Sequence, residues 1–157
     1  MATLTQTGNY RLLKTTQGSA SAVRALLQAA GPELQPYQAN TSDLAAVLAD
    51  GAAGVLNFSA AAFPELLGAL LQRWGDRSQA ETLDRLCRWI GASDAAFQSA
   101  LAFPRGIKAA LALRGLAISP RSRQAVADLS ADQQAGVVDV VQQFRGWCRD
   151  LDVRPLI

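Results

Sequence analysis

The stretch Tyr10-Arg11-Leu12-Leu13-Lys14-Thr15-Thr16-Gln17-Gly18 decides how this chain is read. Tyr10 to Lys14 is a short apolar run that ends in a lysine. Small polar residues follow, and a helix starts at Ser19 or Ser21. A lysine at the end of a strand has two fates. It can run its stem along the apolar surface and keep its ammonium in water. Alternatively it can lose solvation, drop its pKa and become a nucleophilic amine that forms a Schiff base with a carbonyl compound. The chain has one other lysine, Lys108.

Working outward, the strand-then-helix order repeats. Tyr10 to Lys14 is followed by a helix over Ser19 to Ala30, which Gly31-Pro32 stops. Leu34 to Ala39 reads as a second strand. Asn40-Thr41-Ser42-Asp43 then supplies caps for a helix that ends at Asp50-Gly51. Gly54 to Phe58 reads as a third strand. A helix over Ala62 to Trp74 follows, with Pro64 in its first turn. Strands alternating with helices pair in parallel through right-handed crossovers, and short apolar strands suit a sheet covered on both faces.

The second half carries no strand signal. Ser78 to Ile90 is a helix opened by the capping box Ser78-Gln79-Ala80-Glu81, and its apolar face is Leu83, Leu86, Cys87 and Ile90. Ser93 to Leu101 is a further helix, interrupted by Phe103-Pro104-Arg105-Gly106, and Ile107 to Leu116 is another. Ala117 to Asp128 reads as loop. Ser130 to Arg149 is a long helix with a second box, Ser130-Ala131-Asp132-Gln133. Its packing face is Val137, Val138, Val141, Phe144, Trp147 and Cys148. No linker divides the halves, so residues 1–157 read as one unit, with βα units over 9–75 and helices over 78–149.

Bulk composition narrows the function classes. A chain of 157 residues is long enough for one real core, since domains of this size remove about two thirds of their surface from water. A net charge of +2 without a basic block gives no reason to expect nucleic acid or a membrane surface as partner. No apolar run reaches the length of a membrane span, and the N-terminus has no signal-peptide pattern. The chain contains no histidine, which removes His-based triads and His metal sites together. The expectation is no metal and no cofactor. Cys87 and Cys148 lie far apart in helices and read as reduced packing residues of a cytoplasmic protein.

Three parallel strands leave two edges unpaired, and three βα units fall well short of an eightfold barrel of about 250 residues. The sequence therefore predicts a missing complement, supplied by another chain or by sequence outside these residues.

The order of elements and a series of motifs make the chain resemble the C-terminal half of the dihydrodipicolinate synthase / N-acetylneuraminate lyase family of class I aldolases. The likeness runs from about Asn9 to Phe144. The lysine motif is Leu12-Leu13-Lys14-Thr15-Thr16-Gln17-Gly18, and Ala39-Asn40-Thr41 stands where the family has Gly-Asp-Asp. Gly51-Ala52-Ala53-Gly54-Val55-Leu56-Asn57 and the segment from Pro104 to Leu116 complete the match. The resemblance implies an α/β fold: the last three βα units of a TIM barrel, followed by a C-terminal helical region. It implies that Lys14 is the amine that attacks pyruvate or another 2-oxo acid, and that Leu56 lines the pyruvate pocket. It implies that Gly54 allows close backbone approach and that Thr15 and Thr16 sit at the catalytic mouth. Helix-entry turn residues are the equal alternative for the two threonines. Ala39, in place of glycine, reshapes the pocket. Lys108 is structural. Asp43, Glu65 and Asp94 read as caps or first-turn charges.

The resemblance further implies a homo-oligomer, with a missing N-terminal half-barrel or another protein chain as partner. In the family, a Thr pair on the second strand and a tyrosine on the fifth relay protons, and those strands are absent here. Tyr10 and Tyr37 do not align with that tyrosine. Two functions compete: the lysine-bearing half of a Schiff-base lyase, or a truncated, non-catalytic homologue that serves as a binding or oligomerisation module.

Overall fold

Residues 8, 10–16, 19–123, 125 and 127–157 are described in the computed structural model of the chain. The readings that fall on Asn9, Gln17 and Gly18 lie outside the described residues. Three strands form one parallel sheet in the order β1-β2-β3: β1 is Leu12–Thr15, β2 is Gln35–Gln38 and β3 is Gly54–Val55. Helix α1, Ala20–Ala30, connects β1 to β2, and α2, Leu44–Ala49, connects β2 to β3. A helix in each connection returns the chain to the starting end of the sheet, so the next strand runs parallel.

Local chemistry sets the boundaries. Ser19 caps α1, its Oγ accepting from Ala22 N at 3.3 Å, and Gly31 ends it in a positive-φ conformation. Asn40 Oδ1 accepts from Ser42 N at 3.0 Å and Ser42 Oγ at 2.8 Å, which turns the chain from β2 toward α2. Pro36 lies in the central strand, where a missing N–H usually costs a ladder bond. Gln35 N donates to Arg11 O and Ala39 N to Thr15 O, so alternate residues of β2 bond β1. The nitrogen of Pro36 therefore faces β3, which begins only opposite Tyr37, and no bond is lost.

Several elements differ from the sequence reading. β1 runs from Leu12 to Thr15 instead of Tyr10 to Lys14. β3 stops at Val55, because Phe58 opens a short helix, α3, Phe58–Ala62. Asp94 fixes that helix: its Oδ1 accepts from Ser59 N at 3.0 Å and from Ser59 Oγ at 3.2 Å, in a fully buried setting. The helix expected over Ala62 to Trp74 begins at Pro64 instead and forms α4, Pro64–Arg73.

The two helices expected over Ser78 to Ile90 and Ser93 to Leu101 are one, α5, Ala80–Gln98. Gly91 does not end it. A Cβ there would lie 2.7 Å from the Thr41 carbonyl oxygen, so the glycine serves a close approach inside a continuous helix. The expected box at Ser78 is replaced by Asp76, which caps the 3₁₀ turn Arg77–Gln79 ahead of α5. Its carboxylate accepts from Ser78 Oγ, Gln79 Nε2 and Ser78 N, and these bonds hold its pKa below the usual value.

Helix α6 spans Arg105–Arg114 and α7 spans Ala131–Asp150. The box Ser130/Gln133 is formed at the start of α7. Its buried face is Val137, Val140, Val141, Phe144 and Cys148. Val138 is exposed and Trp147 half-buried, so the expected face is rotated by part of a turn.

The chain divides into two compact units. The first holds the sheet, α1, α2 and residues Trp74–Gly91. Its core is Val23, Leu34, Leu44, Val47, Leu48, Leu83, Leu86, Cys87 and Ile90. At its surface Arg24 grips Asp50 with two nitrogens at 2.7–3.1 Å.

The second unit holds Phe58–Arg73 and Ala92–Ile157. Phe63 stacks on Phe144 at 4.9 Å between ring centroids and tilts against Phe97 at 6.1 Å. The Arg114 guanidinium lies 4.3 Å from the Phe144 centroid, donates to Ala62 O and pairs with Glu65. The two charged side chains are only 1% and 3% exposed. Glu65 Oε1 also accepts from Leu156 N at 2.7 Å, which ties down the C-terminal residues. Glu65 is thus more than the first-turn charge expected from sequence.

Candidate functional site

The site is built on the carboxyl ends of the three strands. Register places Lys14 beside Tyr37 and Tyr37 beside Gly54, so the three form one row across the sheet. Neighbouring parallel strands lie about 4.8 Å apart, so side chains in such a row are in reach of each other. Side chains alternate along a strand. Leu12 and Lys14 therefore share a face with Gln35, Tyr37, Gly54 and, one step further on, Leu56. Leu12 is 64% exposed, Leu56 is 52% exposed, and Lys14 is exposed too. The opposite face carries Thr15, Gln38 and Val55 in a second row, and Thr15 and Gln38 are buried. One face of the sheet is thus covered and the other open.

The structure brings Lys14, Gly54 and Leu56 together on the open face. Ala39 N bonds Thr15 O at 2.8 Å and Leu56 N bonds Gln38 O at 2.8 Å, so Thr16, Ala39 and Leu56 lie at the same end of the sheet as the lysine. Thr15 is not brought to this row; it belongs to the covered face. Thr16 follows β1 and is exposed. Among the described residues Lys14 has no ion-pair partner. Lys108 belongs to the second unit, and its Nζ donates to Arg121 O at 2.5 Å.

Tyr37 is the residue that sequence reasoning passed over. A Cβ on Gly54 would sit 2.8 Å from Tyr37 Cε1 and 3.0 Å from Cδ1. The tyrosine ring therefore lies across the bare backbone of Gly54. The group that lies close to Gly54 is this side-chain ring and not a backbone. The sequence alone carried no signal for it, because the row depends on the register of β2 against β1 and β3.

Among the described residues no group of His, Cys, Asp and Glu is placed to hold a metal ion, and no helix is long and apolar enough to cross a membrane. Cys87 and Cys148 are free and buried.

Comparison with solved structures agrees with this architecture. The chain superposes on the 4-hydroxy-tetrahydrodipicolinate synthase of Methylacidiphilum fumariolicum SolV with a TM-score of 0.76 and 19% identity, over 92% of this chain and 47% of that one. It is equally similar to YagE, a prophage protein of the dihydrodipicolinic acid synthase family from E. coli K12 solved with pyruvate. There the TM-score is 0.76 at 21% identity, over 91% of this chain and 49% of that one. The dihydrodipicolinate synthase of Thermotoga maritima gives 0.71 at 18% identity, over 87% and 46%. The chain thus spans about half the length of these relatives. No curated protein matches it by sequence. The model of the dihydrodipicolinate synthetase family matches residues 1–144, and the chain belongs to that family.

Proposed function

We propose that the chain is the lysine-bearing C-terminal half of a Schiff-base-forming lyase or aldolase, three βα units of a barrel with their helical extension. The substrate class is pyruvate or another 2-oxo acid. The Lys14 Nζ adds to the keto carbon, the carbonyl oxygen leaves as water, and an iminium remains. That cation draws an electron pair from a C3–H or C3–C4 bond, so either bond can break. The apolar Leu56 and the Tyr37 ring form a floor beside the amine. The observation that carries this reading is the row Lys14–Tyr37–Gly54 on the open face at the carboxyl end of the sheet, where α/β barrels hold their chemistry.

The exposure of Lys14 favours a second reading, a truncated homologue that binds without catalysing. Borohydride reduction in the presence of pyruvate separates the two. A reduced pyruvyl adduct mapped to Lys14, absent in Lys14→Ala and not found on Lys108, supports the first. A folded chain, supplied with its complement, that traps nothing on Lys14 supports the second.

A further inference from the structure

The geometry points to a binding site for a small amphipathic carboxylate in the second unit. The carboxylate sits on the Arg105 guanidinium, and the apolar body lies in the groove between α6 and α7. The site is independent of the function proposed above, since none of its residues belongs to the unit that carries Lys14.

The groove follows from side-chain size. Arg105, Ala109, Ala112 and Leu113 fall at helical spacing on one side of α6, and Val137 and Val138 line the same cavity from α7. The two alanines leave space that longer side chains would fill. The cavity measures about 610 Å³, a volume typical of small-molecule sites. Leu113 and Val138 are exposed, so part of its apolar lining meets water.

Among the described residues that line the cavity, Arg105 is the one cation. Its side chain is only 15% exposed. A guanidinium carries a fork of N–H donors, yet among the described residues this one makes a single hydrogen bond, from Nη1 to Asp128 Oδ1. Its Nε is buried without a partner. Such a group calls for an anion that takes more of its donors. Arg105 also opens α6, where the first turn holds no acidic residue and no side chain caps the end. A cation there opposes the helix dipole, and an anion seated on it answers both charges.

The chain itself displays the chemistry of the occupant. Asp128 sets a carboxylate on Arg105, and Leu129, next in sequence, puts an apolar side chain on the same cavity. Asp128 is 92% exposed, so the pair is screened and weak, and its carboxylate returns to water when another takes its place. Gln134 Nε2 holds the Leu129 carbonyl at 3.0 Å, so that wall stays while Asp128 leaves.

The test is calorimetric titration of the full 157-residue chain with octanoate at neutral pH, beside 1-octanol and acetate. Octanoate binds one to one. The alcohol lacks the charge and acetate lacks the body, so each binds at least about tenfold more weakly. Arg105→Gln weakens octanoate by at least about tenfold. Asp128→Asn removes the internal competitor and tightens octanoate about threefold, an effect that loss of a merely structural pair does not produce. Ala112→Phe fills the groove from an exposed position and abolishes binding, while circular dichroism stays that of the parent.

A folded chain that binds no octanoate overturns the proposal. So does binding that either Arg105→Gln or Ala112→Phe leaves intact, which moves the ligand elsewhere. Acetate as tight as octanoate reduces the site to an anion contact, and 1-octanol as tight reduces it to an apolar patch; either result sinks the assignment. Weaker binding in Asp128→Asn contradicts it as well. Should Arg105→Gln lose its circular dichroism, Ala112→Phe and Asp128→Asn, both at exposed positions, decide the matter.

Discussion

Gly54 and Tyr37 make the sharpest claim at the scale of single residues. A methyl added at Gly54 meets the tyrosine ring 2.8 Å away, closer than carbon atoms pack. Gly54→Ala is expected to lower stability by about 1–3 kcal/mol, as overpacking does, read as a fall in the urea midpoint. Tyr37→Leu in that background should recover most of the loss. No recovery would place the strain in the backbone of β3 instead. The thiols make a second claim. Burial, with Asp84 adding to it, pushes Cys87 up to about 12; burial, with Glu65 adding to it, pushes Cys148 up to about 11. Both should resist iodoacetamide at pH 8 in the folded chain and react once it unfolds. The unfolded thiol releases its proton at lower pH than the folded one. The thiol contribution to stability is thus complete below about pH 9 and falls away as pH rises from there to about 12. A denaturation midpoint constant from pH 8 to pH 11 would contradict that sign. Lys14 stands out in the sequence because lysine is rare here and its neighbours are distinctive. Its place in one row with Tyr37 and Gly54 does not, because that comes from register between strands, which no local pattern states.

At the scale of elements, the reading succeeded where caps decide and failed where a distant side chain does. Ser19, Gly31 and the Ser130/Gln133 box mark their helix ends by residues a few positions apart, and these were legible. Ser130→Ala should cost about 1 kcal/mol and fray the first turn of α7, seen as faster exchange at Gln133 and Gln134. The end of β3 is different. Phe58 has strand propensity, yet Asp94, remote in sequence, holds Ser59 and turns the chain into α3. Asp94→Ala is expected to cost about 1–3 kcal/mol through loss of a buried acceptor, and to loosen α3 before the rest of its unit. Equal exchange rates at Phe63 and Leu70 in variant and parent would argue against that. The continuity of α5 escaped for a related reason. Gly91 looks like punctuation in one dimension, and only the approach of the Thr41 carbonyl explains why it is glycine.

At the scale of the molecule, the three strands, the helices that connect them and the parallel sheet were legible from alternation alone. The buried pair Glu65–Arg114 was not, because its partners sit far apart in sequence and are joined only by packing on Phe63 and Phe144. Arg114→Met alone leaves Glu65 charged and buried, and should cost about 3–5 kcal/mol. The double change Glu65→Leu, Arg114→Met should cost less than the single one, which thermal unfolding of both variants would measure. The open edge of β1 bears, finally, on solubility. Backbone groups of Leu12 and Lys14 that no described strand pairs are a template for sticking to other chains. Light scattering of the 157-residue chain should rise with its concentration, and less so in Leu12→Lys, which puts a charge on that edge. Scattering indifferent to Leu12→Lys would mean that the exposed edge is tolerated as it stands.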